Sequence, residues 1–117
     1  DIFQEASIGN IQLFTSTHAF ATAHYVARKD FTDIELRKLI IELMEIVSPI
    51  SVDEEILRKA ASSHHKDFED AIQIFCAHKI ENLTAIITRN LKDFSTAEFN
   101  VFAPDEALQF INDNLKK

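Results

Sequence analysis

The sequence contains few residues that break or cross-link a polypeptide chain. Among 117 residues there are one glycine, two prolines, one cysteine and no tryptophan. The shortage of glycine excludes a glycine-rich phosphate loop, and with it nucleotide binding of the Rossmann or P-loop kind. The lone Cys76 has no second cysteine to pair with, so we expect a reducing, cytoplasmic setting and core packing for its side chain.

Long apolar runs and clustered positive charge are missing as well. No run reaches the roughly 20 apolar residues that a membrane-spanning helix needs, so we expect no membrane partner. The net charge of −7 argues against broad, non-specific binding to phosphates, which requires clustered lysine and arginine. One tyrosine and no tryptophan beside ten phenylalanines give no aromatic platform for stacking single-stranded bases. A nuclease is not excluded, because metal-dependent phosphodiester chemistry uses carboxylates.

Composition and periodicity predict the fold class. Apolar residues make up 46% and charged residues 26% of the chain, which is ordinary for one globular domain. Segments with helical periodicity alternate with short extended segments, the pattern of strands joined by crossover helices. We therefore predict one α/β domain over residues 1–117, with three α/β/α layers, a mostly parallel sheet and right-handed connections.

Capping residues and chain breakers divide the chain into elements. The predicted helix caps are Ser16, Thr32 with Glu35, Ser51 with Glu54, and Asp67, and Pro104 opens the last helix. The predicted elements are, in order, the end of a helix at 1–8, a strand at 11–15, helices at 17–29 and from 33, a strand at 46–50, helices at 52–61 and 68–80, a strand at 84–88, a loop at 89–98, a strand at 100–103 and a final helix. The uncharged run at 84–88 is typical of a buried parallel strand.

Carboxylates occupy both ends of one helix–strand unit. From Asp70 the helix runs about 15 Å outward at 1.5 Å per residue, and the strand at 84–88 returns about 16 Å. Asp70 should therefore lie beside the loop that holds Asn90 and Asp93, at the carboxyl end of the sheet. Carboxylate and amide oxygens are ligands suited to Mg²⁺ or Mn²⁺. The simpler alternative is that Asp67 caps the helix and Asp93 caps its own turn.

Two linked motifs resemble the core signature of the PIN-domain nucleases. The first is Asp67-Phe-Glu-Asp70-Ala71 followed by an apolar helix, and the second is Ile86-Ile-Thr88-Arg89-Asn90-Leu-Lys-Asp93-Phe94. Residues 101–108 are similar to the family's final strand and helix, and residues 16–25 to its second strand-to-helix junction. The likeness covers nearly the whole chain, and the best-known small members are the VapC toxins of bacterial toxin–antitoxin pairs.

This resemblance implies an endoribonuclease that depends on Mg²⁺ or Mn²⁺. Asp70 and Asp93 match the family's acidic metal ligands, and Asn90 stands where many relatives have another aspartate. Thr88 matches a hydroxyl residue beside the site. Arg89 is placed to contact a substrate phosphate, with an ion pair to Asp93 or Glu98 as the equal alternative. A toxin of this kind has an antitoxin partner that buries the site, and relatives commonly form homodimers.

The chain departs from the family pattern in two places. Thr22 stands where the family usually has glutamate. The family also opens with a central strand that ends in an Asp-x-Asn-type motif, and this chain starts after that strand and its helix. We therefore expect an N-terminally incomplete domain with weak or absent cleavage, in which a separate strand, domain exchange or rearranged pairing satisfies the sheet. The rival function is a non-catalytic PIN-like scaffold that binds RNA or protein.

The histidines carry no clear metal motif. His18 and His24 are six residues apart, which places them on opposite faces of a helix. His64 and His65 lie in a polar loop, where we expect solvated side chains rather than zinc or nickel ligands, and His78 is expected to be exposed on its helix.

Overall fold

A computed structural model describes residues 1–114 of the chain as a mixed α/β fold, as predicted. Its elements are α1 (Ile2–Ser7), β1 (Leu13–Ser16), α2 (Thr17–Ala27), α3 (Asp33–Met44), β2 (Val47–Ile50), α4 (Glu54–Ser62), α5 (Phe68–Ala77), β3 (Ile86–Ile87), a 3₁₀ helix (Leu91–Phe94), β4 (Val101–Phe102) and α6 (Pro104–Asn114). Within this described part, no helix has both the length and the apolar character needed to cross a membrane.

Most helix starts follow the predicted local signals. Ser16 Oγ accepts the Ala19 N–H at 3.0 Å, and Asp67 Oδ1 accepts the Asp70 N–H at 2.9 Å. Thr32 forms a complete capping box. These caps form because a short polar side chain beside its own helix satisfies a backbone donor that no helical carbonyl reaches.

One prediction about a helix start is wrong. The expected cap Ser51 is not used: Asp53 caps α4 by accepting the Ile56 N–H at 2.9 Å. The reason is tertiary, because the Val52 N–H donates to Thr17 Oγ1 at 3.1 Å and is thereby tied to the start of α2. At the other end of the chain, α1 begins at Ile2, and Asp1 forms a capping box with Gln4.

All strand pairs are parallel, and they form two separate pairs. β1 pairs with β2 from Leu13↔Val47 to Ser16↔Ile50, and β3 pairs with β4. No backbone hydrogen bond joins the two pairs within residues 1–114. The predicted buried strand at 84–88 is shorter and more open than expected, since only Ile86–Ile87 is a strand and Ile87 is 39% exposed. The burial is missing because β3 has a paired neighbour on one side only.

The main core lies between α4 and α5. Ile56 and Ala60 of α4 pack against Ala71, Ile72 and Cys76 of α5. The spacing of four residues places Ile56 with Ala60, and Ile72 with Cys76, on one helical face. Cys76 is 1% exposed, as its expected core role requires, and burial raises the pKa of its thiol. This packing fixes the helix that carries Asp70.

An uncharged cleft of about 380 Å³ separates β1 from β3. Leu13, Phe14 and Thr15 line one side, Ile86, Ile87 and Thr88 line the other, and Gln73, Cys76 and Ala77 of α5 contribute to its wall. The N–H groups of Ile86 and Thr88 donate to Asn100 and Phe102 carbonyls at 2.9 and 3.0 Å. Because neighbouring residues of a strand bond to opposite sides, the Ile87 backbone faces the cleft. We refer to this space as the β1/β3 cleft.

Candidate functional site

The first turn of α5 holds Asp70. Asp67 acts as its helix cap, so the alternative role expected for Asp67 is the one observed. The next residues, Ala71 and Ile72, are 0% and 3% exposed and anchor the turn in the core. Asp70 itself is only partly buried. Its position is therefore set by a rigid helix end rather than by a loop.

Asp70 lies in the electric field of other carboxylates. Burial raises the pKa of Asp70 above its usual range, and the negative charges of Asp67, Asp93 and Glu69 raise it further. Asp93 is remote in sequence, yet it is near enough to contribute to this shift. The negative charge of Asp93 thus acts on Asp70 from a separate segment of the chain. Such a group of like charges has its lowest energy with a cation beside it.

The turn after β3 presents Asp93. Its backbone is ordered by two hydrogen bonds: the Asn90 N–H donates to Thr88 Oγ1 at 3.0 Å, and the Asp93 N–H donates to the Asn90 carbonyl at 3.1 Å. Asp93 is exposed, and its carboxylate accepts no hydrogen bond within residues 1–114, so it does not cap its own turn. Those oxygens remain available to a ligand.

Arg89 and Asn90 lie between the strand and this turn. Both side chains are exposed. The alternative of an ion pair from Arg89 to Asp93 or Glu98 is not observed, because no carboxylate of residues 1–114 pairs with Arg89. Asn90 begins the 3₁₀ helix without a cap bond from its side chain. Both polar groups thus lie within four residues of Asp93 with no competing partner in the described chain.

A buried polar contact beside the site was missed in the sequence. Gln73 Nε2 donates to Ser16 Oγ at 3.0 Å, and Ser16 is 0% exposed. Gln73 follows Asp70 by three residues, about one turn of α5. The contact therefore fixes the rotation of α5 against the end of β1. A signal was present in the sequence, because Gln73 is the one polar residue among the apolar residues 71–77.

The position at which the family usually has glutamate is near the same turn. Thr22 Oγ1 lies 3.4 Å from His18 Nε2, which is 3.8 Å from Glu69 Oε1. On this side of the site, a threonine hydroxyl beside a histidine thus stands where the family usually has a carboxylate. His18 and Thr22 lie on one face of α2 that is directed towards the start of α5.

The donor set suits a cation that needs few protein ligands. Within residues 1–114, no three side chains of histidine, cysteine, aspartate or glutamate are grouped to hold a metal ion by themselves. A structural zinc site needs such a closed set. Mg²⁺ binds through one or two carboxylates and keeps water and substrate oxygens as its other ligands. Asp70 and Asp93 fit that second kind of site.

Comparison with known proteins identifies the family. A model of the PIN domain matches residues 1–92, which include Asp70 and Asn90 and end one residue before Asp93. No curated protein and no solved structure matches the chain. PIN domains are of nuclease type, generally act with divalent metals and generally bind nucleic acid. Because the match covers well over half of the chain, this protein belongs to the PIN-domain family.

Proposed function

We propose that this protein is a Mg²⁺- or Mn²⁺-dependent endoribonuclease of the VapC type. The observation that carries the proposal is that the negative charge of Asp93, from a separate segment of the chain, helps to raise the pKa of the partly buried Asp70. Carboxylates without other partners are the ligands that a hard cation prefers. In this proposal Asp70 and Asp93 hold the metal, and Asn90 supports it with its amide oxygen.

The roles of the other residues follow from their chemistry. A bound divalent cation supplies a water of lowered pKa and stabilises negative charge on the phosphate. Asp70 and Asp93 act in their ionised forms, which the neighbouring cation favours. Arg89 donates from its planar guanidinium to a phosphate oxygen, and the Thr88 hydroxyl, which accepts the Asn90 N–H, keeps its own proton to donate to the same group. Together they orient the phosphodiester against the two carboxylates.

We also propose that residues 1–117 are an N-terminally incomplete PIN-like domain. The β1/β3 cleft supports this proposal, because two strand edges face one uncharged space. A further extended strand would satisfy both edges. With two acidic ligands of its own, the 117-residue polypeptide is expected to bind Mg²⁺ weakly and to cleave RNA slowly or not at all.

The partners proposed are RNA, a second copy of the chain and an antitoxin that covers the site. Homodimer formation is supported by α3, on which Ile34 and Ile41 are 81% and 65% exposed. These residues are seven apart and share one helical face. The buried thiol of Cys76, the one cysteine of the chain, is in keeping with the cytoplasmic setting that we propose.

Metal binding and RNA cleavage test the function separately. Mn²⁺ binding is measured by titration with the purified protein, and cleavage with a mixed-sequence RNA in Mg²⁺ or Mn²⁺. Asp70→Asn and Asp93→Asn should each weaken Mn²⁺ binding by about 10-fold or more, since each removes a charged ligand. Asp105→Asn, an exposed residue of α6, is the matched control and should bind as the parent does. Equal Mn²⁺ affinity in all four proteins contradicts the proposed site.

The cleavage assay separates the enzyme from its rival. Robust cleavage by the 117-residue polypeptide that is abolished in Asp70→Asn contradicts the expected weakness but supports the nuclease. The rival function, a non-catalytic scaffold for RNA or protein, is favoured by Thr22 in place of the usual glutamate. RNA retained on the protein without cleavage at saturating Mn²⁺, and unaffected by Asp70→Asn, supports that rival.

A further inference from the structure

A second cleft lies beside the candidate site, on the side of α5 that packs against α4. It has a volume of about 360 Å³ and is formed by the end of α4, the loop before α5, the last turns of α5 and the segment after the 3₁₀ helix. Its wall on α5 lies four to eight residues beyond Asp70, and its wall after the 3₁₀ helix lies three to five residues beyond Asp93. We refer to this space as the histidine cleft.

Aromatic rings from three segments form a row along the histidine cleft. The ring centroids of His65 and Phe75 are 6.0 Å apart, and those of Phe75 and His78 are 5.8 Å apart. His64 extends the row at 4.6 Å from His65, and Phe99 extends it at 4.9 Å from His78. Composition did not indicate this row, because it consists of histidine and phenylalanine rather than tyrosine and tryptophan. The chain therefore has a surface on which a planar ring can stack.

The row is held in place from below and from one side. Phe75 is half-buried and packs against the core between α4 and α5. His65 Nδ1 is hydrogen-bonded to Thr96 Oγ1, across 31 residues of sequence. Within residues 1–114 no three metal-binding side chains converge, so these histidines serve as rings and not as a metal site. A platform that is already ordered loses little conformational freedom when a ligand binds.

The charges around the histidine cleft leave one carboxylate unpaired. No cation and no hydrogen-bond donor of residues 1–114 is paired with the exposed carboxylate of Glu98. Lys59, which also lines the cleft, is paired with Glu55 at 2.8 Å, and the neighbouring Lys79 is paired with Asp53 at 2.7 Å. Because both lysines are occupied, the cleft is better suited to a neutral ring that donates hydrogen bonds than to a phosphate.

We propose that the histidine cleft binds a guanine base of single-stranded RNA, which stacks on Phe75 and donates to Glu98 through its Watson–Crick edge. An ionised carboxylate only accepts hydrogen bonds, and it has two oxygens. Guanine presents two adjacent donors on that edge, its ring N–H and its amino group, so both oxygens receive a hydrogen bond. Adenine and cytosine present one amino group beside an acceptor nitrogen, and uracil presents one N–H between two carbonyls. Glu98 therefore selects guanine.

The position of the histidine cleft links this base to the candidate site. At 1.5 Å per residue, its wall on α5 lies about 6–12 Å from Asp70 along the helix axis, the length of about two to four stacked nucleotides. A strand with one phosphate at Asp70 and Asp93 can therefore place a nearby base on Phe75. The effect on the choice of cleavage position rests on the proposed nuclease function, whereas binding of the base does not.

Nucleotide binding is measured without metal, so that neither cleavage nor the candidate metal site contributes. Guanosine and uridine 5′-monophosphates are titrated separately into the 117-residue polypeptide in EDTA and followed by NMR. The guanosine nucleotide should shift the amide signals of Phe75, His78 and Glu98. It should bind about tenfold more tightly than the uridine nucleotide, the discrimination expected of one bidentate contact. Equal affinities, or shifts confined to residues outside the cleft, overturn the proposal.

Two variants separate pairing from stacking, and a third is the control. Glu98→Gln replaces one acceptor by a donor, so it should lower the affinity for the guanosine nucleotide to about that for the uridine nucleotide. Phe75→Leu keeps apolar volume against the core and removes the ring, so it should weaken both nucleotides about fivefold or more. Glu42→Gln changes an exposed carboxylate of α3 and should keep the preference of the parent. A Glu98→Gln protein that still prefers guanosine in full rules out the pairing.

Failure of the histidine cleft and failure of the nuclease proposal are distinguishable. If the protein cleaves RNA, its cuts in a mixed-sequence RNA should lie at a fixed distance from a guanine, and Glu98→Gln should abolish this preference without changing Mn²⁺ affinity. Guanosine binding without any cleavage supports the cleft and contradicts the nuclease. Cleavage without a guanine preference in either assay supports the nuclease and contradicts the cleft. Cleft signals that shift on dilution of the protein, and with neither nucleotide, mean that a second copy fills the cleft, which also overturns the proposal.

Discussion

At the scale of single residues, the start of α5 concentrates charge of one sign. Asp67, Glu69 and Asp70 lie within four residues, and Asp93 acts on them from another segment. The positive end of a helix dipole stabilises acidic residues by about 0.3–1 kcal/mol each. For Asp70 this benefit is outweighed, since burial and repulsion together raise its pKa. The folded chain therefore keeps a carboxylate at a position where its charge is unfavourable.

Asp70→Asn should stabilise the protein while it weakens metal binding. A raised pKa means that the folded state binds more protons than the unfolded state, so the stability contributed by Asp70 falls as pH rises through its folded pKa. At pH 7 the substitution relieves like-charge repulsion worth about 0.5 kcal/mol. Below the unfolded pKa of about 3.9 both side chains are neutral, and the difference should disappear. Urea denaturation at pH 7 and at pH 3.5 measures the difference in free energy of unfolding between Asp70→Asn and the parent at each pH.

The control for this experiment is the exposed residue Asp105. Asp105→Asn, in the first turn of α6, removes a charge of the same kind beside one further carboxylate, Glu106, instead of three, and should not stabilise the fold. If Asp70→Asn is instead less stable than the parent at pH 7, the Asp70 carboxylate stabilises the fold, and its charge is not unfavourable there.

At the scale of elements, helix starts were easier to predict from the sequence than the length and burial of strands. The caps Ser16, Thr32 and Asp67 were predictable, because each acts within three residues of its own position. The cap of α4 was not, since the choice of Asp53 over Ser51 depends on a bond from Val52 to distant Thr17. The strand at 84–88 was predicted from apolar residues alone. Its length and burial depend on neighbouring strands, which a single segment does not reveal.

The candidate site shows the same division. The influence of Asp93 on the pKa of Asp70 could be expected from the sequence, because the path out along one helix and back along one strand is set by local geometry. Gln73 and Ser16 could not, since their contact spans 57 residues and depends on how α5 lies against β1. The hydrogen bond between His65 and Thr96, which spans 31 residues, was missed for the same reason.

Ser16→Ala should destabilise the fold more than an ordinary cap substitution does. Ser16 Oγ accepts the Ala19 N–H and the Gln73 amide, and both donors lose a partner that is itself 0% exposed. Loss of the cap costs about 1 kcal/mol, and the unsatisfied amide adds about 1 kcal/mol or more. Thr32→Ala is the matched control, because Thr32 is an exposed cap, and its cost should be about 1 kcal/mol. Equal losses in chemical denaturation rule out the Gln73 contact as a stabilising link.

At the scale of the whole molecule, large apolar side chains remain exposed in several elements, and two of these surfaces bear on the proposed partners. The outer face of α3 exposes Ile34 and Ile41, and the β1/β3 cleft leaves strand edges without partners. The net charge of −7 keeps the remaining surface acidic, so neither opening is suited to phosphate. Both are better matched to polypeptide. These features were not predictable from composition, since they depend on what packs against each element.

The α3 face is expected to form the proposed homodimer. Ile34→Glu with Ile41→Glu places two charges on the exposed face and should shift the protein from dimer to monomer in analytical ultracentrifugation, because buried unpaired charge opposes association. Leu57→Glu, which changes an apolar residue that is 42% exposed on α4, is the control and should leave the dimer intact. A parent protein that is monomeric at high concentration contradicts this interface.

The β1/β3 cleft gives the sharpest test of the incomplete domain, because neighbouring amides of β3 differ in their partners. The Thr88 N–H already donates to the Phe102 carbonyl at 3.0 Å, whereas the Ile87 N–H faces the cleft. In the 117-residue polypeptide the Ile87 amide should exchange quickly and the Thr88 amide slowly. In a longer protein extended at its N-terminus by an apolar segment, a strand in the cleft should protect Ile87 by about tenfold or more, the protection that one well-formed backbone hydrogen bond confers. The exchange rate of the Thr88 amide should change little between the two proteins, so Thr88 is an internal control in each.

Fast exchange at Ile87 in both proteins means that no strand enters the cleft, and the open edges of β1 and β3 are then a permanent feature of the fold.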